Sequence, residues 1–175
     1  MFTAIVIGCG DRAATYCEAA VHLLKKMKVI VAIDPDPVRL AYMQTHFDVP
    51  AAQCYRDMQD VLKQGRIADC VIDATMDQYH LQTALPFLEQ GYDMLLEKPL
   101  VNNEHDLLLL RDTAKKSGSH LTVCHVLRYT PFYRKIKQML LDGRLGEIMN
   151  IQTSERVGTF HSSVSYLRGK WNRES

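Results

Sequence analysis

The 175-residue chain is 47% hydrophobic and 23% charged, with a net charge of +1, as expected for one globular domain or one domain plus part of another. Near-neutral charge gives no electrostatic footprint for nucleic acid or an anionic membrane as partner, and no window approaches 18 apolar residues, so no transmembrane helix is expected. The five cysteines, Cys9, Cys17, Cys54, Cys70 and Cys124, are scattered and form no C-x-x-C pair, which argues against a disulfide framework or a metal site and for a reducing, cytoplasmic location. The N-terminus MFTAIVIGCG has no positive stretch before its apolar run and reads as a strand, not a secretory signal.

Strand and helix patterns then alternate. TAIVIG (3–8) is a β-branched run ending in glycine. Residues 12–26 place Ala13, Cys17, Ala20, Val21 and Leu24 on one helical face. VIVAID (29–34) is a second buried strand, and 37–46 reads as a helix. ADCVIDAT (68–75) is a third strand, 78–90 a helix stopped by Gly91, and YDMLLE (92–97) a fourth strand. Asn103 is placed to cap a helix, with Asp106 at its third position and Gly118 closing it. HLTVCHV (120–126) is a fifth strand, and Thr130 with Pro131 opens a last helix to about Leu141. Such alternation predicts a doubly wound α/β fold, a parallel sheet with helices on both faces. The expected boundaries are a first domain over 1–146 and the start of a second over 147–175. EIMNIQTSER alternates as a new strand would, and the aperiodic tail with Trp171 reads as a chain cut shortly after entering that second domain.

GCGDRA (8–13) has the pattern G-x-G-x-x-A after a strand and before a helix. Gly8 permits a tight turn, Gly10 lets backbone N–H groups approach a pyrophosphate, and Ala13 is small enough for close helix–strand packing. The helix N-terminus presents its positive dipole end to the anion, and Cys9, Asp11 and Arg12 belong to the same loop. Asp34 follows 21 residues after Ala13, at the end of the second strand. A carboxylate there accepts hydrogen bonds from adenosine ribose hydroxyls and repels a 2′-phosphate. No Arg or Lys follows before Arg39, so NAD is favoured over NADP. A methyltransferase also places glycines after its first strand and an acid after its second, but MLLEKP after the fourth strand does not suit one.

Ligands of open α/β sheets bind outside the carboxyl ends of the strands. This chain puts Gly8, Gly10, Arg12, Asp34, Thr75, Asp77, Gln78, His80, Glu97, Lys98, His125, Arg128 and Tyr129 there. A strand that runs straight into Glu97 and Lys98 therefore reads as opening into a site, and a lysine beside a bound cofactor can be tuned to exchange a proton.

From EKP (97–99) the residues become specific. With the glycine loop, Asp34, ATMDQYH, GYDMLLEKP and LRYTPFY, the chain resembles the Gfo/Idh/MocA oxidoreductases over residues 3–175. The tail HSSVSYLRGKW is similar to one subgroup of these dehydrogenases. The resemblance implies a Rossmann domain followed by a second α/β domain, and hydride transfer between nicotinamide and a sugar, inositol or polyol hydroxyl carbon. It implies Lys98 as the catalytic residue, Glu97 positioning the cofactor or Lys98, a cis peptide before Pro99, Gln78 and His80 lining the nicotinamide side, and Thr75 among the cofactor-binding residues. Arg128 is implied near cofactor or substrate, and the full-length protein as a homo-oligomer. Met76 departs from the family, which often has Pro there. The family's Asp-and-His motif is expected beyond Trp171, so this chain by itself is expected to bind NAD and turn over poorly or not at all. Two alternatives stay open: an NAD-dependent glycosidase of the same family and a non-catalytic NAD-binding module.

Overall fold

A computed structural model describes residues 1–163. The tail from 164 onward, with Trp171 and most of HSSVSYLRGKW, lies outside them. The described residues fall into two units, Met1–Arg128 and the segment from Tyr129 onward.

In the first unit six strands form one all-parallel sheet. They are β1 (Phe2–Ile7), β2 (Met27–Ile33), β3 (Cys54–Tyr55), β4 (Cys70–Asp73), β5 (Asp93–Leu96) and β6 (Leu121–Val123), in the order β3-β2-β1-β4-β5-β6. This is the Rossmann arrangement the sequence predicted. Strands covered on both faces need apolar residues at every position, and β1 shows it: Ala4 and Val6 pack into one core, Ile5 and Ile7 into the other. The first core also takes in Ala13 and Cys17 of α1 (Asp11–Cys17) and Leu40, Met43 and Phe47 of α2 (Pro37–Phe47). The second takes in Val61 of α3 (Gln59–Leu62), Ala84, Phe87 and Leu88 of α4 (His80–Glu89), and Leu110 and Ala114 of α5 (Glu104–Ser117). The helices after β1 and β2 thus cover one face and those after β3, β4 and β5 the other. The change of side occurs between β1 and β4, and at such a switch point open α/β sheets bind ligands outside their strand ends.

Local signals were read well where a side chain makes the terminus. Asn103 Oδ1 accepts the Asp106 N–H at 2.9 Å, and Gly118 closes α5 in the left-handed region. The helix after β1 departs from its predicted face. It widens over Glu18–Leu23 into a turn with longer hydrogen bonds, such as Leu24 N–H to Ala19 O. The extra residue per turn rotates the stripe, and Leu24 faces solvent instead of the core. The two-residue β3 and the short α3 were not anticipated, being too short to show a period.

The second unit holds α6 (Pro131–Leu141), opened by Thr130 and Pro131 as predicted, and the short α7 (Thr159–His161). The strand expected over EIMNIQTSER is not formed: residues 148–158 are neither helix nor strand. Alternation marks which face a strand would bury, but a strand exists only when its N–H and C=O groups meet a partner ladder, and no described residue supplies one.

Candidate active site

The glycine loop follows β1 at this switch point. Gly8 has φ +76°, and its N–H donates to Ile33 O at 2.9 Å. A Cβ on Gly8 would stand 2.7 Å from Thr75 N and 2.8 Å from the Ala74 carbonyl. The loops after β1 and β4 therefore touch backbone to backbone at this residue. Gly10, the cap of α1, is different. A Cβ there would meet only the Arg39 guanidinium, at 3.8 Å, so the protein's own packing does not require glycine. An unfilled approach to the start of a helix whose cap has no side chain suits an anionic group such as a dinucleotide pyrophosphate.

Cys9 contributes to this loop through its backbone. Its N–H donates to Asp34 Oδ2 at 2.8 Å, while its thiol lies 3.6 Å from Ile33 O in the core, where burial and then Asp34 push its pKa far up. The Cys9 side chain is thus core packing, and only its backbone belongs to the loop. Asp34 is itself buried at the end of β2. Its Oδ1 accepts the Asp36 N–H at 2.8 Å, and Arg39 approaches Oδ2 at 3.3 Å. The sequence treated Arg39 as distant. Asp36 caps α2 through the Val38 N–H, Pro37 starts the helix, and the first turn swings Arg39 back over Asp34. Arg39 also lies 3.8 Å from Asp36, so two carboxylates share one guanidinium. Arg56 also reaches this strand end, its guanidinium donating to Pro35 O at 3.1 Å, so the two carboxylates stand beside two cations.

After β4, fully buried Asp73 organises the next loop. Its Oδ1 accepts the Thr75 N–H at 3.0 Å and the Thr75 hydroxyl at 2.7 Å, and its Oδ2 accepts the Thr83 hydroxyl of α4 at 2.5 Å. Burial raises the Asp73 pKa and these hydrogen bonds oppose the shift. Gln78 is exposed on a short turn, Asp77–Tyr79. His80 is not at the surface of the site. It is fully buried, with Nδ1 2.7 Å from Pro99 O and Nε2 3.1 Å from Thr75 O. His80 thus joins the loops after β4 and β5 as a clamp. His80→Leu leaves both carbonyls without this partner and is expected to cost about 2–3 kcal/mol of stability, read as a lower urea midpoint. An unchanged midpoint would mean that the clamp carries no weight.

The Lys98–Pro99 peptide is cis. Glu97 is 7% exposed, and its Oε2 accepts the Lys98 N–H at 3.0 Å. Its Oε1 accepts the Tyr16 hydroxyl from α1 and faces Arg12 Nε at 3.4 Å. Tyr16 was not singled out in the sequence; its spacing four residues after Arg12 on one helix face was the available signal. Lys98 is exposed and, among the described residues, its ammonium has no hydrogen-bonding or ionic partner. A cavity of about 360 Å³ gathers Arg12, Glu97, Lys98, Cys124, His125 and Arg128 with Val126 and Leu127. It brings Lys98 and Arg128 to one opening together with Arg12 from the first turn of α1. Among the described residues no cluster of His, Cys, Asp and Glu could hold a metal, no helix is long and apolar enough to cross a membrane, and all five cysteines are free.

Comparison with known proteins bears on this arrangement. A family model, GFO_IDH_MocA, described as an oxidoreductase family with an NAD-binding Rossmann fold, matches residues 2–125. The chain is 32% identical over 174 residues to YteT of Bacillus subtilis, named as an oxidoreductase, covering 96% of this chain and 40% of that protein. It is 26% identical over 152 residues to an inositol 2-dehydrogenase of Corynebacterium glutamicum, covering 86% of this chain and 44% of that protein. The solved scyllo-inositol dehydrogenase of Lactobacillus casei with bound NAD(H) and scyllo-inositol matches with a TM-score of 0.77 at 18% identity, over 84% of this chain and 43% of that one. That likeness is one of fold. The chain spans less than half the length of these relatives.

Proposed function

The chain belongs to the Gfo/Idh/MocA oxidoreductase family, and from that premise we propose that it is the cofactor-binding part of a dehydrogenase that uses NAD and acts on a hydroxyl carbon of a sugar, inositol or polyol. The observation that carries the cofactor reading is the pairing of bare Gly10 with Asp34, whose carboxylate is fixed by the Cys9 N–H at the end of β2. Gly8, Gly10 and the first turn of α1 hold the pyrophosphate in this reading, and Asp34 accepts the ribose hydroxyls once Arg39 yields its place. When bound, NAD supplies the hydride acceptor or donor. Lys98 holds or releases the proton of the reacting hydroxyl, its exposed ammonium having no bonded partner among the described residues. Thr75 and Gln78 flank the nicotinamide end, and Arg128 anchors cofactor or substrate at the cavity.

The same proposal includes residues 147–175 as the start of a substrate domain, assembly of the full-length protein as a homo-oligomer, and a cytoplasmic location, which suits five free cysteines. It also includes weak or absent turnover by this chain alone, because no described acid or base is bonded to the Lys98 ammonium. Titration with NADH and NADPH, followed by nicotinamide fluorescence, tests the cofactor half. NADH is expected to bind at least about tenfold more tightly, since Asp34 at the end of β2 accepts ribose hydroxyls, and a 2′-phosphate in place of one of them meets the like charge of that buried carboxylate. Equal or tighter binding of NADPH refutes that reading of the β2 end.

A further inference from the structure

Glu97 ties two parts of the site together with its two oxygens. Oε2 holds the Lys98 N–H, while Oε1 is held by Tyr16 and Arg12, which lie four residues apart on α1. That helix begins at the glycine loop. Of the two partners from α1, Tyr16 is the stronger. Arg12 is about half exposed, and its 3.4 Å approach is longer than a good hydrogen bond; ion pairs open to solvent contribute little. The Tyr16 hydroxyl is part-buried in its contact with Glu97, and its other neighbour is Cys124, just past the end of β6. Burial, then Cys124 and Glu97, raise the Tyr16 pKa, so the phenol stays protonated and remains a donor. Lys98 has no side-chain partner among the described residues. The hydrogen bond from its own N–H to Glu97 and the peptide hydrogen bond from Glu97 N–H to Asp73 O fix where its side chain starts.

We propose that Tyr16 is a positioning residue, which locks Glu97 against α1 so that a dinucleotide seated at the start of that helix is felt at Lys98. This rests on the cofactor reading above. Without the hydroxyl, Oε1 is left to the half-exposed Arg12 while Oε2 keeps the Lys98 N–H, and the link from α1 to Lys98 loosens. The phosphate-binding turn itself makes no contact with the hydroxyl, so affinity for the cofactor changes little.

The test uses the whole chain with its lysines reductively dimethylated with ¹³C-formaldehyde. The Lys98 signal is identified by its disappearance in Lys98→Arg, and NADH binding is followed in parallel by fluorescence. The wild-type Lys98 signal is expected to move on saturation with NADH. Tyr16→Phe is expected to bind NADH within about threefold of wild type yet to lose more than half of that movement, and Glu97→Gln to lose it as well. A Lys98 response of wild-type size in Tyr16→Phe overturns the proposal and leaves Tyr16 as packing. Should Tyr16→Phe fail to fold by circular dichroism, Glu97→Gln decides by the same criterion. Failure of the wild type to bind NADH removes the cofactor reading and this inference together, whereas normal binding with an unaltered Lys98 response in the variants removes this inference alone.

Discussion

Gly8→Ala is expected to cost the fold about 3 kcal/mol or more, whereas Gly10→Ala is expected to cost less than about 1 kcal/mol and yet abolish most cofactor binding. The contrast follows from what each new methyl would meet. At Gly8 the backbone is left-handed, which costs a residue with a Cβ roughly 1–2 kcal/mol. The methyl would also press on Thr75 N and the Ala74 carbonyl, backbone atoms held by the end of β4 that cannot rotate away. Against a total stability of about 5–15 kcal/mol for an ordinary domain, that is a large fraction, visible as a drop in the urea midpoint. At Gly10 the backbone is extended and the methyl meets only the movable end of Arg39, at ordinary contact distance. Its cost falls on the ligand, because the methyl occupies the space through which a pyrophosphate would approach the first turn of α1. A fall of about tenfold or more in NADH affinity is expected, with the fold intact. Wild-type NADH affinity in Gly10→Ala would show that this loop is not the phosphate seat, and a wild-type midpoint in Gly8→Ala would show that the two loops do not touch as described.

The second large effect is expected at Asp34. Asp34→Asn keeps the size of the side chain but replaces one carboxylate oxygen with an amide nitrogen that can only donate. The carboxylate at present accepts from the Cys9 and Asp36 N–H groups and faces Arg39. The amide can serve only one of the two N–H groups, and its NH₂ then opposes the other, at a cost of about 1–3 kcal/mol in stability. Cofactor selection shifts as well. Loss of a charged acceptor for the ribose hydroxyls is expected to weaken NADH by about tenfold or more. NADPH loses less, since the repulsion of its 2′-phosphate falls and Arg39 is released from the carboxylate. The gap between the two cofactors is therefore expected to narrow in fluorescence titrations. A variant that keeps the wild-type preference would move the origin of selectivity away from Asp34.

Much of this molecule is local in origin, and the local part could be read from the sequence. The alternation of apolar runs with 3.6-residue periods dictates parallel strands with covering helices, because a strand buried on both faces must be apolar throughout. Asn103 and Asp106, Pro131, and Gly118 mark helix ends through interactions within a few residues of chain. The glycine loop, Asp34 and EKP are also recognisable locally, since each role depends on backbone shape or on position at a strand end.

What the sequence could not give depends on which distant loops meet. Nothing in the spacing of residues tells that Gly8 presses on Thr75, that His80 faces inward to two carbonyls, or that Arg39 returns to Asp34. Nor does it tell that Tyr16 reaches Glu97 across 81 residues of chain. The EIMNIQTSER segment shows the opposite limit: its alternation is plain, but pairing needs a partner ladder, and none is supplied by the described residues. The sequence by itself thus determined the doubly wound fold and the polar residue types gathered at the carboxyl ends of its strands, because periodicity, capping and turn geometry act over a few residues. Only the tertiary structure decided which of those residues open onto the cavity and which bond to other loops, because that assignment is made by contacts between loops that the sheet order β3-β2-β1-β4-β5-β6 brings together.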